Sequence, residues 1–204
     1  MYIIIDGMPG TGKTALSKRL ASMTGAAYMK SVLSNTNFGV KLRDLRVSNF
    51  KEKYELLIMS DLLLDELRVG KLLQSRSIIR DKAFTASLGH LAAHGFENRE
   101  TEITDIIQLG YKQLQEFSVL PDIAVHLKMN EERIKLHYAQ KDDASDIDNY
   151  LISNMELYKK QDEAIGNAMK DAFGSRLIEL ECFYGSIDQM ACDILDKLRE
   201  RKQQ

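Results

Sequence analysis

The sequence predicts an α/β fold in which a five-stranded parallel sheet carries helices on both faces. Three observations lead there. Apolar runs are short and separated by long stretches of helical period, the pattern of a parallel sheet whose crossovers are helices. Ile3-Ile4-Ile5 and Ile123-Ala124-Val125 are solid apolar blocks, as strands buried on both faces require. The 204 residues contain two prolines, Pro9 and Pro121, and neither a repeat nor a Pro/Gly/Ser linker, so one domain over 1–204 is the economical expectation.

Taken in order, strands are expected at Tyr2–Asp6, Ala26–Met29, Ser77–Asp81, Asp122–Leu127 and Arg176–Glu181. The first helix, Lys13–Thr24, stops at Gly25, a natural C-terminal signal. The second, Lys51–Leu73, places Leu56, Leu57, Met59, Leu63, Leu64 and Leu67 in a broad stripe that reads as buried. Thr104–Phe117 repeats the pattern with Ile106, Ile107, Tyr111 and Leu114, a face that suits either core or a homodimer interface. A long helix is expected over Ile147–Ala172 and a last one over Ile187–Arg199.

Composition narrows the function. The chain is 44% hydrophobic and 28% charged, an ordinary globular balance. A net charge of -2 and a pI near 6.1 supply no cationic field for a nucleic-acid backbone, so no nucleic-acid partner is expected. No apolar run approaches the roughly 18 residues of a membrane span, and the first strand follows no basic n-region. Cys182 and Cys192 form neither a CxxC pair nor a zinc set, which suits a reducing compartment. A cytoplasmic protein without a membrane partner is expected.

One motif carries specific chemistry. Gly7-Met8-Pro9-Gly10-Thr11-Gly12-Lys13-Thr14 matches G-x-x-x-x-G-K-[ST], the Walker A phosphate-binding loop, between an apolar strand and a helix. Its glycines let successive N–H groups point inward at phosphate oxygens, and the helix adds the positive end of its dipole. Gly7, Gly10, Thr11, Gly12, Lys13, Thr14 and Ala15 are therefore the expected ATP-binding set. Lys13 would face the β- and γ-phosphates, and the Thr14 hydroxyl would ligate Mg²⁺.

The remaining signals sort among proteins with such a P-loop. The N/T-K-x-D signature of guanine-binding GTPases is missing. A large motor or AAA-type ATPase would need more chain and paired acids after the second core strand, where this sequence reads Arg80-Asp81-Lys82. A single carboxylate at that strand end suits a small kinase, as a ligand of the metal's water shell or a proton acceptor. Asp81 starting a turn is the alternative.

At this point the sequence resembles the P-loop nucleoside and nucleotide kinases, most closely the thymidylate kinase type, over nearly its whole length. The resemblance rests on Tyr54 to Asp61, on Ser77-Ile78-Ile79-Arg80-Asp81-Lys82-Ala83-Phe84-Thr85-Ala86-Ser87, and on Pro121-Asp122-Ile123-Ala124-Val125-His126-Leu127 before Asn130-Glu131-Glu132-Arg133. It implies the three-layer P-loop NTPase fold, ATP and Mg²⁺ as cofactors, and a small-molecule phosphate acceptor. It also implies a lid over about 133–148 with Asp146 to Tyr158 as the returning helix. Some positions differ from the family. Lys82 stands where the family has arginine and lacks its bidentate fork. Pro9 replaces an aspartate that contacts the sugar, Leu62 follows Asp61 where the family has arginine, and Lys141 to Asp146 is acidic.

The resemblance assigns catalysis to Lys13, Asp81, Lys82 and Arg133, and the metal to Thr14 and Asp81. Arg133, Lys135 and Lys141 are the cations near the lid, each equally readable as a surface charge. Asp6 is either a base or sugar ligand facing the acceptor, or a cap on the loop's own N–H groups. An acceptor-binding arm is expected over about 28–50, with Tyr28, Lys30, Phe38 and Arg43 as candidates, Arg43 and Arg46 otherwise forming a solvated face. Phe84 either stacks on a base or packs. Phe183-Tyr184-Gly185-Ser186 occupies the place of adenine in such kinases, or else caps the sheet. His90, His94, His126 and His137 show no catalytic or metal spacing and read as structural. The leading reading is phosphoryl transfer from ATP to a nucleoside or nucleoside monophosphate. A kinase of another small metabolite and a regulatory nucleotide-binding NTPase are the alternatives.

Overall fold

The structure is a computed structural model and describes residues 1–30, 51–94, 101–139 and 153–203. The acceptor-arm candidates Phe38, Arg43 and Arg46, the lid from residue 140 to 148 with Lys141, and the start of the long helix lie outside the described residues.

The five strands are β1 (Tyr2–Gly7), β2 (Ala27–Met29), β3 (Ile78–Asp81), β4 (Ile123–Lys128) and β5 (Leu177–Glu181). They form one sheet in the order β2-β3-β1-β4-β5, and every pair is parallel. Each lies within a residue of its expected bounds. The central strands β1, β3 and β4 are buried along nearly their whole length, whereas β2 and β5 are half-exposed edges. This is why β1 and β4 read as solid apolar blocks and β2 and β5 do not.

The helices are α1 (Lys13–Thr24), α2 (Lys51–Leu73), α3 (Phe84–His94), α4 (Thr101–Phe117), α5 (Glu131–Ala139), α6 (Met155–Phe173) and α7 (Ile187–Gln203). Residues of β1 alternate between two cores. Ile3 and Ile5 pack with Leu16 and Leu20 of α1 and Met190 and Ile194 of α7. Tyr2 and Ile4 pack with α2, α3, α4 and α6 through Leu62, Phe84, Leu114 and Met169. Helices thus cover both faces, giving three layers.

Two elements depart from expectation. Helix α3 was not foreseen: Gly89 interrupts its pattern, and it forms because it packs on α6. A Cβ at Gly89 would lie 2.5 Å from Ile165 Cγ1 and 2.6 Å from its Cα, so only glycine allows the approach. In α2 the period is right but the phase is wrong. Leu57, Leu63, Leu64 and Leu67 are exposed, while Asp61, Asp65 and Glu66 are buried. The reason is Arg80 of β3, itself buried, which pairs with Glu66 and lies 3.9 Å from Asp65. Its Nη1 also donates to the Tyr2 hydroxyl at 3.3 Å. Burial works against the guanidinium's charge, but Tyr2 and Glu66 more than offset it.

Candidate active site

Strand β1 ends at the centre of the sheet, between β3 and β4, and the chain there turns into α1 through the glycine-rich loop. This is the crevice at the strands' carboxyl ends where open α/β sheets bind ligands. Gly7 has φ 140°, and a Cβ there would stand 2.5 Å from the Leu127 carbonyl oxygen of β4. Gly12, at φ 87°, caps α1 in the left-handed region with no side-chain hydrogen bond. The first turn of α1 contains no acidic residue, and Thr14 and Ala15 are exposed on it. Its open N–H groups and positive dipole end therefore face solvent, the arrangement that accepts a phosphate.

Three donors converge on one carbonyl oxygen inside the loop. Met8 O accepts from Thr11 Oγ1 at 2.9 Å, from Thr11 N at 3.4 Å and from Lys13 Nζ at 2.5 Å. Lys13 is 8% exposed. Burial, reinforced by the nearby Lys82 ammonium, pushes its amine down to about 8, with Asp6, Asp81 and Asp162 opposing. A phosphate would relieve that cost by supplying the missing counter-charge.

The pair expected at the metal is brought together. Asp81, at the end of β3, accepts on Oδ2 from the Thr14 hydroxyl at 2.6 Å and from the Tyr28 hydroxyl at 3.1 Å. Tyr28 thus meets Asp81 rather than standing apart as an acceptor contact. Burial, then the Asp81 charge and hydrogen bond, push its phenol up to about 12. A hydroxyl and one carboxylate beside a phosphate cradle fit Mg²⁺, which keeps several waters and takes few protein ligands. Among the described residues no group of three or more His, Cys, Asp or Glu is placed to hold a metal by itself.

Lys82 follows with φ 77°, uncommon for a residue other than glycine, and its N–H donates to Ile5 O at 2.9 Å. Strained backbone of this kind concentrates at functional sites. Lys30 is exposed at the end of β2.

Asp6 takes the capping alternative. It is fully buried, accepting from Gly7 N at 2.8 Å on one oxygen and from Thr85 Oγ1 at 2.8 Å and Ala83 N at 3.3 Å on the other. Facing an open acceptor pocket is therefore corrected: the carboxylate ties the loop to the start of α3. Phe84 is likewise 1% exposed and meets Phe173 edge-on at 6.2 Å, so base stacking gives way to packing. Arg133 is engaged at the end of β5. Its Nη1 donates to Cys182 O at 3.4 Å and its Nη2 lies 3.6 Å from Glu181. Lys135 pairs one turn back with Glu131 at 2.5 Å. Phe183 lies against the P-loop, 3.3 Å from where a Gly12 Cβ would be.

Asp162 was missed. It lies buried on α6, accepts from Met129 N at 2.8 Å and faces His126 Nε2 at 3.1 Å. Its charge reaches Lys13. One acid in a long polar helix gives no sequence signal; only the packing of α6 on β4 selects it.

No protein-family model matches the sequence, and no curated protein does. Among solved structures, the fold is similar to thymidylate kinase from Candida albicans, with TM-score 0.70 at 14% identity over 98% of this chain and 92% of that one. It is similar to deoxyadenosine kinase from M. mycoides with bound dATP, with TM-score 0.69 at 16% identity over 98% and 100%. Thymidylate kinase from Ehrlichia chaffeensis gives TM-score 0.64 at 15% identity over 98% of each chain. The fold is thus the three-layer, thymidylate kinase-like P-loop kinase fold. Among the described residues no helix is long and apolar enough to cross a membrane.

Proposed function

We propose that this chain is an ATP-dependent phosphotransferase whose acceptor is a nucleoside or nucleoside monophosphate. The observation that carries the reading is the convergence of Lys13, Thr14 and Asp81 at the open N-terminus of α1, with Thr14 and Asp81 joined by a 2.6 Å hydrogen bond. A P-loop needs only an anion cradle, whereas transfer also needs a placed metal ligand and a cation on the migrating phosphoryl group. The neighbours in fold support the acceptor class, since they are thymidylate and deoxyadenosine kinases, one of them with dATP bound.

In this reading the α1 amides and Lys13 hold the β- and γ-phosphates, Lys13 leaving the Met8 carbonyl to do so. Thr14 would ligate a magnesium ion and Asp81 would orient its water shell. Tyr28 fixes the Asp81 carboxylate from the other side. When bound, magnesium would supply charge neutralisation to the phosphates. Lys82, on its strained turn near Lys13, would meet charge on the transferred group. Arg133, anchored to the Cys182 carbonyl, and Phe183, against Gly12, line the side where the base of ATP would lie. Positioning and electrostatics thus carry the reaction, with no covalent step on the protein.

The test is ADP release from ATP and Mg²⁺ across a panel of deoxynucleosides and their monophosphates. One acceptor should raise release far above the acceptor-free rate and itself gain a phosphate. Firm ATP binding with no acceptor in the panel doing so would rule the acceptor class out.

A further inference from the structure

From α6, Asp162 reaches the end of β4 with both oxygens. One faces His126 Nε2 at 3.1 Å and the other accepts from the Met129 amide at 2.8 Å. A carboxylate can only accept, so Nε2 carries a proton. Both side chains are buried, His126 to 1% and Asp162 to 6% exposure. Gly166, one turn further along α6, makes room for the ring: a Cβ there would lie 2.8 Å from His126 Cε1 and 2.9 Å from Nδ1. Nδ1 itself has no hydrogen bond, and Glu179 of β5 stands 3.7 Å from it. Burying this pair costs desolvation that an apolar contact would avoid. What distinguishes the pair from such a contact is the bond to Met129.

Met129 is where the chain leaves β4 for α5, and a run of bonds starts from it. The Asn130 amide donates to Cys182 Sγ at 3.4 Å, and Asn130 Oδ1 accepts from Arg133 N at 3.0 Å at the head of α5. Arg133 Nη1 donates in turn to Cys182 O. Phe183 follows at φ 55° and lies against Gly12 of the P-loop. Met129, Ile134, Cys182 and Phe183 belong to one small apolar cluster. The Met129 amide thus sets where α5 begins, and Arg133 and Phe183 stand where that start puts them.

Taking the site as the ATP site proposed above, we propose that Asp162 is a positioning residue for the nucleotide. Through the Met129 amide it holds the head of α5, and with it Arg133 and the Phe183 turn, in the place that receives the base side of ATP. His126 is its brace. Asp162 acts through Met129 rather than on the nucleotide.

Charge and position pull in opposite directions here. The Asp162 charge is felt at Lys13, and a carboxylate so placed repels a bound phosphate. Removing the charge alone should leave ATP binding unchanged or tighter, whereas removing the hydrogen bond should weaken it. Asp162→Asn and Asp162→Ala separate the two. In Asp162→Asn the Met129 amide still needs an acceptor, so the side-chain oxygen turns to it and the NH₂ turns to His126. Nε2 must then accept, and the ring proton moves to Nδ1, where Glu179 is the acceptor at hand.

Calorimetric titration of the full chain with ATP and Mg²⁺ at neutral pH tests this. Asp162→Ala should bind ATP about 10-fold more weakly, the scale of one lost acceptor for a half-buried amide. Asp162→Asn should bind at least as tightly as the wild type. An Asp162→Ala chain that binds as tightly as the wild type overturns the inference, as does an Asp162→Asn chain as weak as Asp162→Ala. A wild-type chain that binds no ATP overturns the proposed function and this inference with it, so the two failures are told apart. Nitrogen NMR of the histidine rings gives a readout without nucleotide. His126 Nε2 should carry a proton in the wild type and lose it in Asp162→Asn; an Nε2 protonated in both overturns the role given to Met129. Should Asp162→Ala fail to fold, amide exchange of the wild type replaces it. By linkage, ATP must slow exchange at Met129 by about the same 10-fold, and exchange indifferent to ATP overturns the proposal.

Discussion

Asp81 accepts two hydroxyl hydrogen bonds on one oxygen, from Thr14 and Tyr28; in the proposed reaction its other oxygen would meet the metal's water shell. Replacing Asp81 by asparagine should lower turnover by about 10²-fold or more while ATP affinity stays nearly unchanged; equal loss of both, measured by single-turnover kinetics and calorimetry, would make the residue structural. Tyr28→Phe should weaken apparent magnesium affinity about 10-fold, as loss of an outer-shell partner does, with little change in ATP affinity at saturating metal. Lys13 is the third residue with a sharp expectation. Its amine is pushed down to about 8 while the unfolded chain keeps the ordinary lysine value of 10.5. The unfolded state therefore holds more protons between those values, so this residue makes stability rise with pH across that window and costs most below about 8. Phosphate binding reverses the burial penalty, so ATP binding should take up about one proton near pH 9 and almost none near pH 7. Calorimetry in buffers of different ionisation heat reads this, and Lys13→Ala should remove both the uptake and the transfer. At this scale the sequence was legible where chemistry depends on local spacing, as from Gly7 to Thr14. It was not legible where direction decides: a carboxylate at the end of β1 suits a pocket or the loop itself, and only Thr85 shows which way Asp6 turns.

Elements were legible in proportion to how far one pattern dominated them. β1 and β4 are buried on both faces and wrote that into unbroken apolar runs. α2 has an apolar period with two candidate faces, and the choice between them rests on Arg80, a residue of another element. That pairing makes a graded forecast. Arg80→Leu strands two buried carboxylates and should destabilise by about 3–5 kcal/mol. Glu66→Leu leaves Asp65 near the guanidinium and should cost less, urea unfolding giving the order. α3 went unseen because Gly89, which weakens a helix pattern, is what the contact with α6 requires. Gly89→Ala places a Cβ 2.6 Å from Ile165 Cα and should shift these helices apart. A loss of about 1–3 kcal/mol or more is expected from such overpacking, again by urea unfolding. An unchanged midpoint would mean that the two helices separate freely.

At the scale of the molecule, the strand order β2-β3-β1-β4-β5 brings the ends of β1 and β3 side by side, so residues 67 positions apart, Thr14 and Asp81, share one hydrogen bond. A parallel sheet with helical crossovers was readable because each unit repeats the same alternation of apolar run and helical period. The acceptor arm expected over about 28–50 lies mostly outside the described residues, and of its candidates Tyr28 turns to Asp81. The proposed function stands on one property of the whole: an anion cradle at the head of α1 beside Thr14 and Asp81, which would together hold a magnesium ion. Calorimetric titration of the chain with ATP, with and without Mg²⁺, tests it most directly. Saturable binding that strengthens markedly with magnesium, and is lost in Lys13→Ala, is the predicted result; no magnesium-dependent affinity for ATP would contradict it.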